Sequence, residues 1–143
     1  MAAVLMNKAE ERALAFLIGK AGYTVRTLIL KLYQNDVTPA EDDVVGDYTV
    51  ATFTGYADAA LASGDWTITG TTPTLATCAQ KTFTSSAGSQ NQTIYGYYVV
   101  TDTDNELVFA ERFSDAPRTI VNNGDLSNLK PQVLSILKEL LPR

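Results

Sequence analysis

The chain has 143 residues, 11 basic and 16 acidic, with a formal net charge of -5 and 45% hydrophobic residues, proportions that suit one compact domain able to fold without a disulfide or metal staple. It contains no histidine and a single cysteine, which removes Ser-His-Asp and Cys-His nucleophilic devices and the usual zinc ligand sets, so that no enzyme, no metal and no cofactor is expected. The acidic balance disfavours nucleic acid and anionic membrane surfaces as partners.

The N-terminal stretch MAAVLMNKAEERALAFLIGK is interrupted by Lys8, Glu10, Glu11 and Arg12, so it does not read as a secretory signal, and no apolar run approaches the roughly 20 residues that span a bilayer. Leu5, Ala9, Ala13, Phe16 and Leu17 recur at helical spacing and predict an amphipathic helix over 6–18. Asn7 is its expected cap, with Glu10 three residues on, and Gly19 and Gly22 stop it. Such a helix either covers one end of a core or docks on a partner.

The period changes to two after Gly22, predicting a strand from Val25 to Leu32, and Tyr33 to Pro39 supplies turn chemistry. An acidic loop, Ala40 to Gly46, leads to an aromatic-rich stretch, Tyr48 to Tyr56, and a short strand candidate, Asp58 to Ala62. Further strands are expected at Asp65–Thr69, Ala76–Ser85, Thr93–Thr101 and Glu106–Phe113, the last two joined by the hairpin residues Asp102-Thr103-Asp104-Asn105. Toward the C-terminus, Val133, Leu134, Ile136, Leu137, Leu140 and Leu141 favour a helix from Gln132 onward, and alternation at Leu129, Pro131, Val133 and Ser135 keeps a closing strand as the alternative. The resulting fold class is mainly β: a single-domain antiparallel β-sandwich or jelly-roll-like barrel. Within 1–143, residues 1–22 form the N-terminal helix segment, 23–121 the β core and 122–143 a C-terminal attachment segment.

Few constellations carry chemistry. Asp102, Asp104 and Glu106 imitate the start of a calcium loop, but Leu107 stands where glycine is required and Phe113 where a bidentate glutamate is, so the segment reads as a hairpin turn. Glu41, Asp42, Asp43 and Asp47 read as a solvated acidic loop, with a weak cation site as the alternative. Cys78, between Thr77 and Ala79 and without a basic neighbour, reads as a small buried hydrophobe. Tyr95 and Tyr97 alternate with Tyr98, which places Tyr98 on the other face of its strand; core or sheet packing is the favoured reading of the cluster, with Tyr98 as a candidate interface anchor the alternative.

Five short motifs then occur in order: LKLYQNDVTP at Leu30–Pro39, YTVATFTGYA at Tyr48–Ala57, AQKTFT at Ala79–Thr84, IYGYYVV at Ile94–Val100 and AERF at Ala110–Phe113. Together they resemble a family of small virion structural proteins of tailed bacteriophages and prophages, over roughly Thr24 to Val121, with a departure after Gly124-Asp125. The resemblance implies a β-rich virion component, foremost a capsid decoration (cement) protein on the outer surface of the major capsid shell, assembled in the host cytoplasm. Its expected partners are the major capsid protein and further copies of itself, as a dimer or trimer. Expected contact residues are Leu5, Leu14 and Leu17, the loop from Asn35 to Pro39, Tyr98, and Leu137, Leu140 and Leu141. A tail- or fibre-associated receptor-binding protein is the alternative, and a carboxylate-based cell-wall hydrolase a more distant one.

Overall fold

The computed structural model describes residues 3–22, 24, 26–70, 75–129 and 132–134. It is mainly β, with antiparallel sheets and one short N-terminal helix, α1 (Asn7–Leu17). The largest sheet is built on the hairpin of β8 (Gly96–Thr101) and β9 (Leu107–Arg112). It continues through β2 (Leu28–Tyr33) to the edge strand β3 (Ala59–Leu61), and β1 (Val4–Leu5) closes its other edge on β9. Three smaller sheets join β4 (Trp66–Thr69) and β12 (Gln132–Leu134) to β5 (Leu75–Cys78), β11 (Leu126–Leu129) to β6 (Lys81–Thr84), and β10 (Arg118–Ile120) to β7 (Gln92–Ile94). The described strands close no barrel, and the arrangement is consistent with a single-domain β-sandwich.

Strand β8 shows why the sheet is central. All six of its residues are buried, because both faces of the sheet are covered. Leu30, Leu32, Tyr97, Val99 and Phe109 face Cys78, Phe83, Ile94 and Ile120 from the smaller sheets, while Tyr33, Tyr98, Val100 and Ala110 pack on Met6, Tyr48 and Leu107 on the opposite side. Fully burying one such aliphatic or aromatic side chain stabilises the fold by about 1.5–3 kcal/mol. The approach of β2 to β8 is close enough to dictate a residue: a Cβ at Gly96 would collide with the Glu111 carbonyl oxygen and come within 2.6 Å of the Tyr33 hydroxyl.

Several expected elements are cut or rebuilt. The stretch Thr93–Thr101 breaks at Tyr95, which bonds through its backbone to Tyr33 and Phe113. The break turns Tyr95 to the same side as Tyr98, not Tyr97. The stretch Ala76–Ser85 breaks at Ala79, whose N–H donates to the Asp65 carbonyl at 2.7 Å. Most of Tyr48–Tyr56 is loop, and side chains take up three of its backbone donors: Gln92 Oε1 accepts from the N–H groups of Thr52 and Phe53 at 2.8 and 3.1 Å, and Gln90 Oε1 from Thr54 at 2.8 Å. Two glutamine side chains thus replace a neighbouring strand along this segment.

Both ends of the chain differ from expectation. Leu5 belongs to β1, opposite Phe109, and packs against the core, so it is not part of the helix stripe. Met6, not Asn7, caps α1, with no side-chain cap bond, and the Asn7 N–H donates to the Glu41 carbonyl at 3.0 Å. At the other end, residues 132–134 are strand, not helix, pairing with β5, while β11 pairs with β6. Residues 126–129 and 132–134 therefore pair within the sheets. The remainder of the expected helix, with Leu137, Leu140 and Leu141, lies outside the described residues.

Candidate functional site

A register shift in the β8–β9 hairpin positions the most distinctive surface. Val99 pairs with Phe109 and Val100 with Leu107, which leaves Val108 as an extra residue on β9. A bulge of this kind re-aims a side chain and frees backbone groups for other partners. The Val108 carbonyl accepts the Met6 N–H at 3.0 Å, which launches α1, and its side chain lines a cleft between α1 and the sheet.

The cleft holds about 440 Å³. Ala9, Ala13, Phe16 and Leu17 of α1 form one wall, and Leu28, Leu107 and Val108 form the other, with Lys8, Arg12, Arg26 and Glu106 also at its lining. Arg12 bonds Glu106 and, at 3.2 Å, Asp104, and Arg26 meets the same Asp104 at 3.2 Å. The hydrogen bond that Arg12 donates to the Glu106 carboxylate holds its guanidinium above its ordinary pKa. Arg26 Nε is buried without a hydrogen-bond partner among the described residues.

The helix beside this cleft does not cover the core as a surface helix ordinarily does. Ala15 is its only buried residue, while Leu14, Phe16, Leu17 and Ile18 are 51%, 53%, 61% and 71% exposed. Among the described residues, the other exposed large apolar side chains, Val44, Ile68 and Val121, stand far apart in the chain. Among the residues expected at a partner contact, Leu14 and Leu17 are therefore solvent-facing. Three others are not free surface. Tyr98 is 2% exposed and stacks on Tyr48 with ring centroids 5.1 Å apart, because loop 37–48 covers that face of the sheet. Pro39 is buried. Asn35 is half-buried, its Nδ2 donating to the Asp47 carbonyl at 2.7 Å and its Oδ1 accepting the Thr49 N–H at 2.8 Å, so it clamps its own loop.

The acidic loop is occupied by local bonds. Asp43 accepts from the Tyr48 hydroxyl at 2.6 Å and the Ala40 N–H at 2.9 Å, and Asp47 accepts the Val44 N–H at 2.8 Å. Asp102 to Asp104 form the turn of the β8–β9 hairpin, and Asp104 and Glu106 point to arginines. No group of three potential metal ligands occurs among the described residues.

Nucleophiles in the core are held protonated. Burial raises the Cys78 thiol pKa. Burial pushes Tyr33 up to about 12 and also raises Tyr97 and Tyr48, which add hydrogen bonds to Glu111 and Asp43 respectively. The core keeps these tyrosine oxygens and this sulfur buried, while the apolar end of α1 stands in solvent. The unbroken run Ala13–Ile18 foreshadows that stretch, but sequence period alone does not say which face stays uncovered.

Comparison with protein-family models, curated proteins and solved structures finds no match to this chain. No helix among the described residues is long and apolar enough to cross a membrane.

Proposed function

We propose that this protein is a bacteriophage virion structural protein, foremost a capsid decoration protein that binds the outer surface of the major capsid shell and stabilises it. The observation that carries an adhesive role is the solvent-facing apolar end of α1, Leu14 to Ile18, beside the 440 Å³ cleft. Patches of this kind mark interaction surfaces. The order of the five motifs from Leu30 to Phe113 supports placing that adhesion in a virion. On a symmetric shell, many weak contacts would combine into strong retention through multivalency.

Quantitative mass spectrometry of purified particles tests the reading. Hundreds of copies per virion are expected for a shell protein. Six or twelve copies would move the protein to the tail or portal, and its absence from purified particles would end the virion reading altogether. A peptidoglycan zymogram is expected to stay dark, and a lysis band would replace adhesion with hydrolysis.

A further inference from the structure

Residues 3–18 form an arm that is anchored at its beginning and loose at its end. At the beginning, β1 pairs with the edge of β9, Val4 opposite Ala110 and Leu5 opposite Phe109, and Met6 is buried with its N–H on the Val108 carbonyl. At the end, all residues from Phe16 to Gly22 are exposed. The helix closes on its own backbone there, the N–H groups of Gly19 and Lys20 donating to the Phe16 and Ala15 carbonyls at 3.1 and 2.9 Å, a Schellman-type stop. A Cβ at Gly19 or Gly22 would meet nothing within 4 Å. The connection from arm to body therefore packs on nothing at its two glycines, and both, at positive φ, can extend without a side-chain penalty.

We propose that two copies of this chain exchange residues 3–18, each arm pairing with β9 of the other copy across a two-fold axis. The occupant is fixed by identity: the β9 edge, the cluster of Tyr98, Val100 and Leu107 around Met6, and the Glu106 and Asp104 carboxylates on Arg12 already hold this segment. They hold it equally well from a second chain. Because these contacts are the same in both forms, the balance is set by the hinge and by what meets only in the dimer. In an exchanged dimer the two hinges pass each other at the axis, which brings together the side chains just before them. Those are Leu14, Phe16, Leu17 and Ile18, the ones a single chain leaves in solvent. Without that cover, a short linker would keep each arm on its own body up to roughly mM protein; burying apolar surface moves exchange to lower concentration. This inference is independent of the shell reading, since a monomer found in particles would remove only the inference, and an exchanged dimer absent from particles only the reading.

The test joins the arm covalently to the body that holds it. In a C78A background, which removes the native thiol, V4C and A110C place two cysteines at directly opposed strand positions, a separation that a disulfide spans. Protein oxidised at about 1 mM, the range of weak association, is expected to run as a covalent dimer in denaturing, non-reducing electrophoresis and as a single chain after reduction. V4C alone, the control for random coupling, is expected to stay a single chain. Adding L14K and I18K removes the apolar cover and is expected to weaken the dimer band about tenfold. Deleting residues 19–22 makes the hinge too short to turn back, and that chain is expected to sediment as a dimer even at about 10 μM with wild-type circular dichroism. Bridges that form only within single chains overturn the proposal. So does a dimer band untouched by L14K with I18K, or a folded hinge-deleted chain that stays monomeric. Should the cysteine pair or the deletion misfold, sedimentation equilibrium of the wild type decides: mass rising toward that of a dimer between about 10 μM and about 1 mM supports exchange, and a constant monomer overturns it.

Discussion

Arg12, midway along α1, bonds Glu106 at the end of the β8–β9 hairpin, 94 residues away in sequence. Ala15 is the only buried residue of the helix, and this ion pair with its Asp104 branch ties α1 to the hairpin. Replacing Arg12 with alanine is expected to cost no more than about 1 kcal/mol, because both partners are partly solvated. Its larger effect is local. Hydrogen exchange across 9–17 should accelerate while the amides of β8 keep their protection, and unchanged exchange in α1 would show that the tether lies elsewhere.

Gly96→Ala is expected to be among the most damaging small substitutions in the molecule. The added methyl group meets the backbone of Glu111 and the ring of Tyr33, neither of which can swing aside, so a loss of about 3 kcal/mol or more in urea unfolding follows from overpacking. Gly64→Ala, where a Cβ meets nothing within 4 Å, is the control and should change stability by less than about 0.5 kcal/mol. Equal effects at the two positions would contradict the packing described.

Gln92 is a structural side chain disguised as a polar surface residue. Its Oε1 serves two backbone donors and its Nε2 donates to the Thr52 hydroxyl at 2.9 Å. Gln92→Ala should cost about 1–2 kcal/mol and raise exchange at Thr52 and Phe53. Gln92→Glu keeps the acceptor and should protect those two amides far better than alanine does.

Alkaline titration should report the tyrosine core. Tyr33, Tyr48, Tyr56, Tyr97 and Tyr98 all have folded-state pKa values raised, first of all by burial. Above the ordinary tyrosine pKa of about 10, the unfolded chain releases protons that the folded one retains. Stability contributed by these groups is therefore complete below about pH 10 and declines as pH rises beyond it. Tyrosinate absorbance should appear together with loss of circular dichroism. A smooth titration with the fold intact would mean that these hydroxyls reach solvent.

At the acid end the sign reverses. Asp65, bonded to Lys81 and to the Ala62 N–H, and Asp125, which accepts from the Asn122 and Val121 N–H groups, both have lowered pKa values. Their contribution is present above the usual aspartate pKa of about 4 and fades as pH falls below it. The Tm gap between wild type and Asp125→Ala should therefore narrow between pH 6 and pH 3, and a constant gap would refute the linkage.

Local pattern in the sequence marks out the β8–β9 hairpin and α1, since a turn rich in Asp and Asn between β-branched runs, and apolar spacing of three and four, are each contained within a few residues. What depends on distant pairing is not legible in that way. Two-residue β1 exists only because β9 offers an edge, and residues 132–134 become strand against helical periodicity because β5, more than fifty positions earlier, accepts them. The choice between core and interface for Tyr98 has the same origin. Alternation puts it on the far face of β8, but only the loop carrying Tyr48 decides that this face is buried. Conversely, the spacing of Phe16 and Leu17 matches a core-facing stripe, and nothing short of the three-dimensional path reveals that an open cleft lies beneath them.

The near-absence of buried residues in α1 has a consequence for how this molecule can change. Leu14, Phe16, Leu17 and Ile18 can be exchanged with little thermodynamic effect on the sheets, and residues 19–22, exposed and bracketed by glycines with φ of +67° and +90°, form a natural place to lengthen or shorten the chain. The exposed apolar side chains of α1 and the buried ones of the sheets are thereby largely separate sets. A new binding preference can be written into seven or eight positions while the β scaffold stays as it is, by natural variation or by anyone who wishes to display a peptide on it.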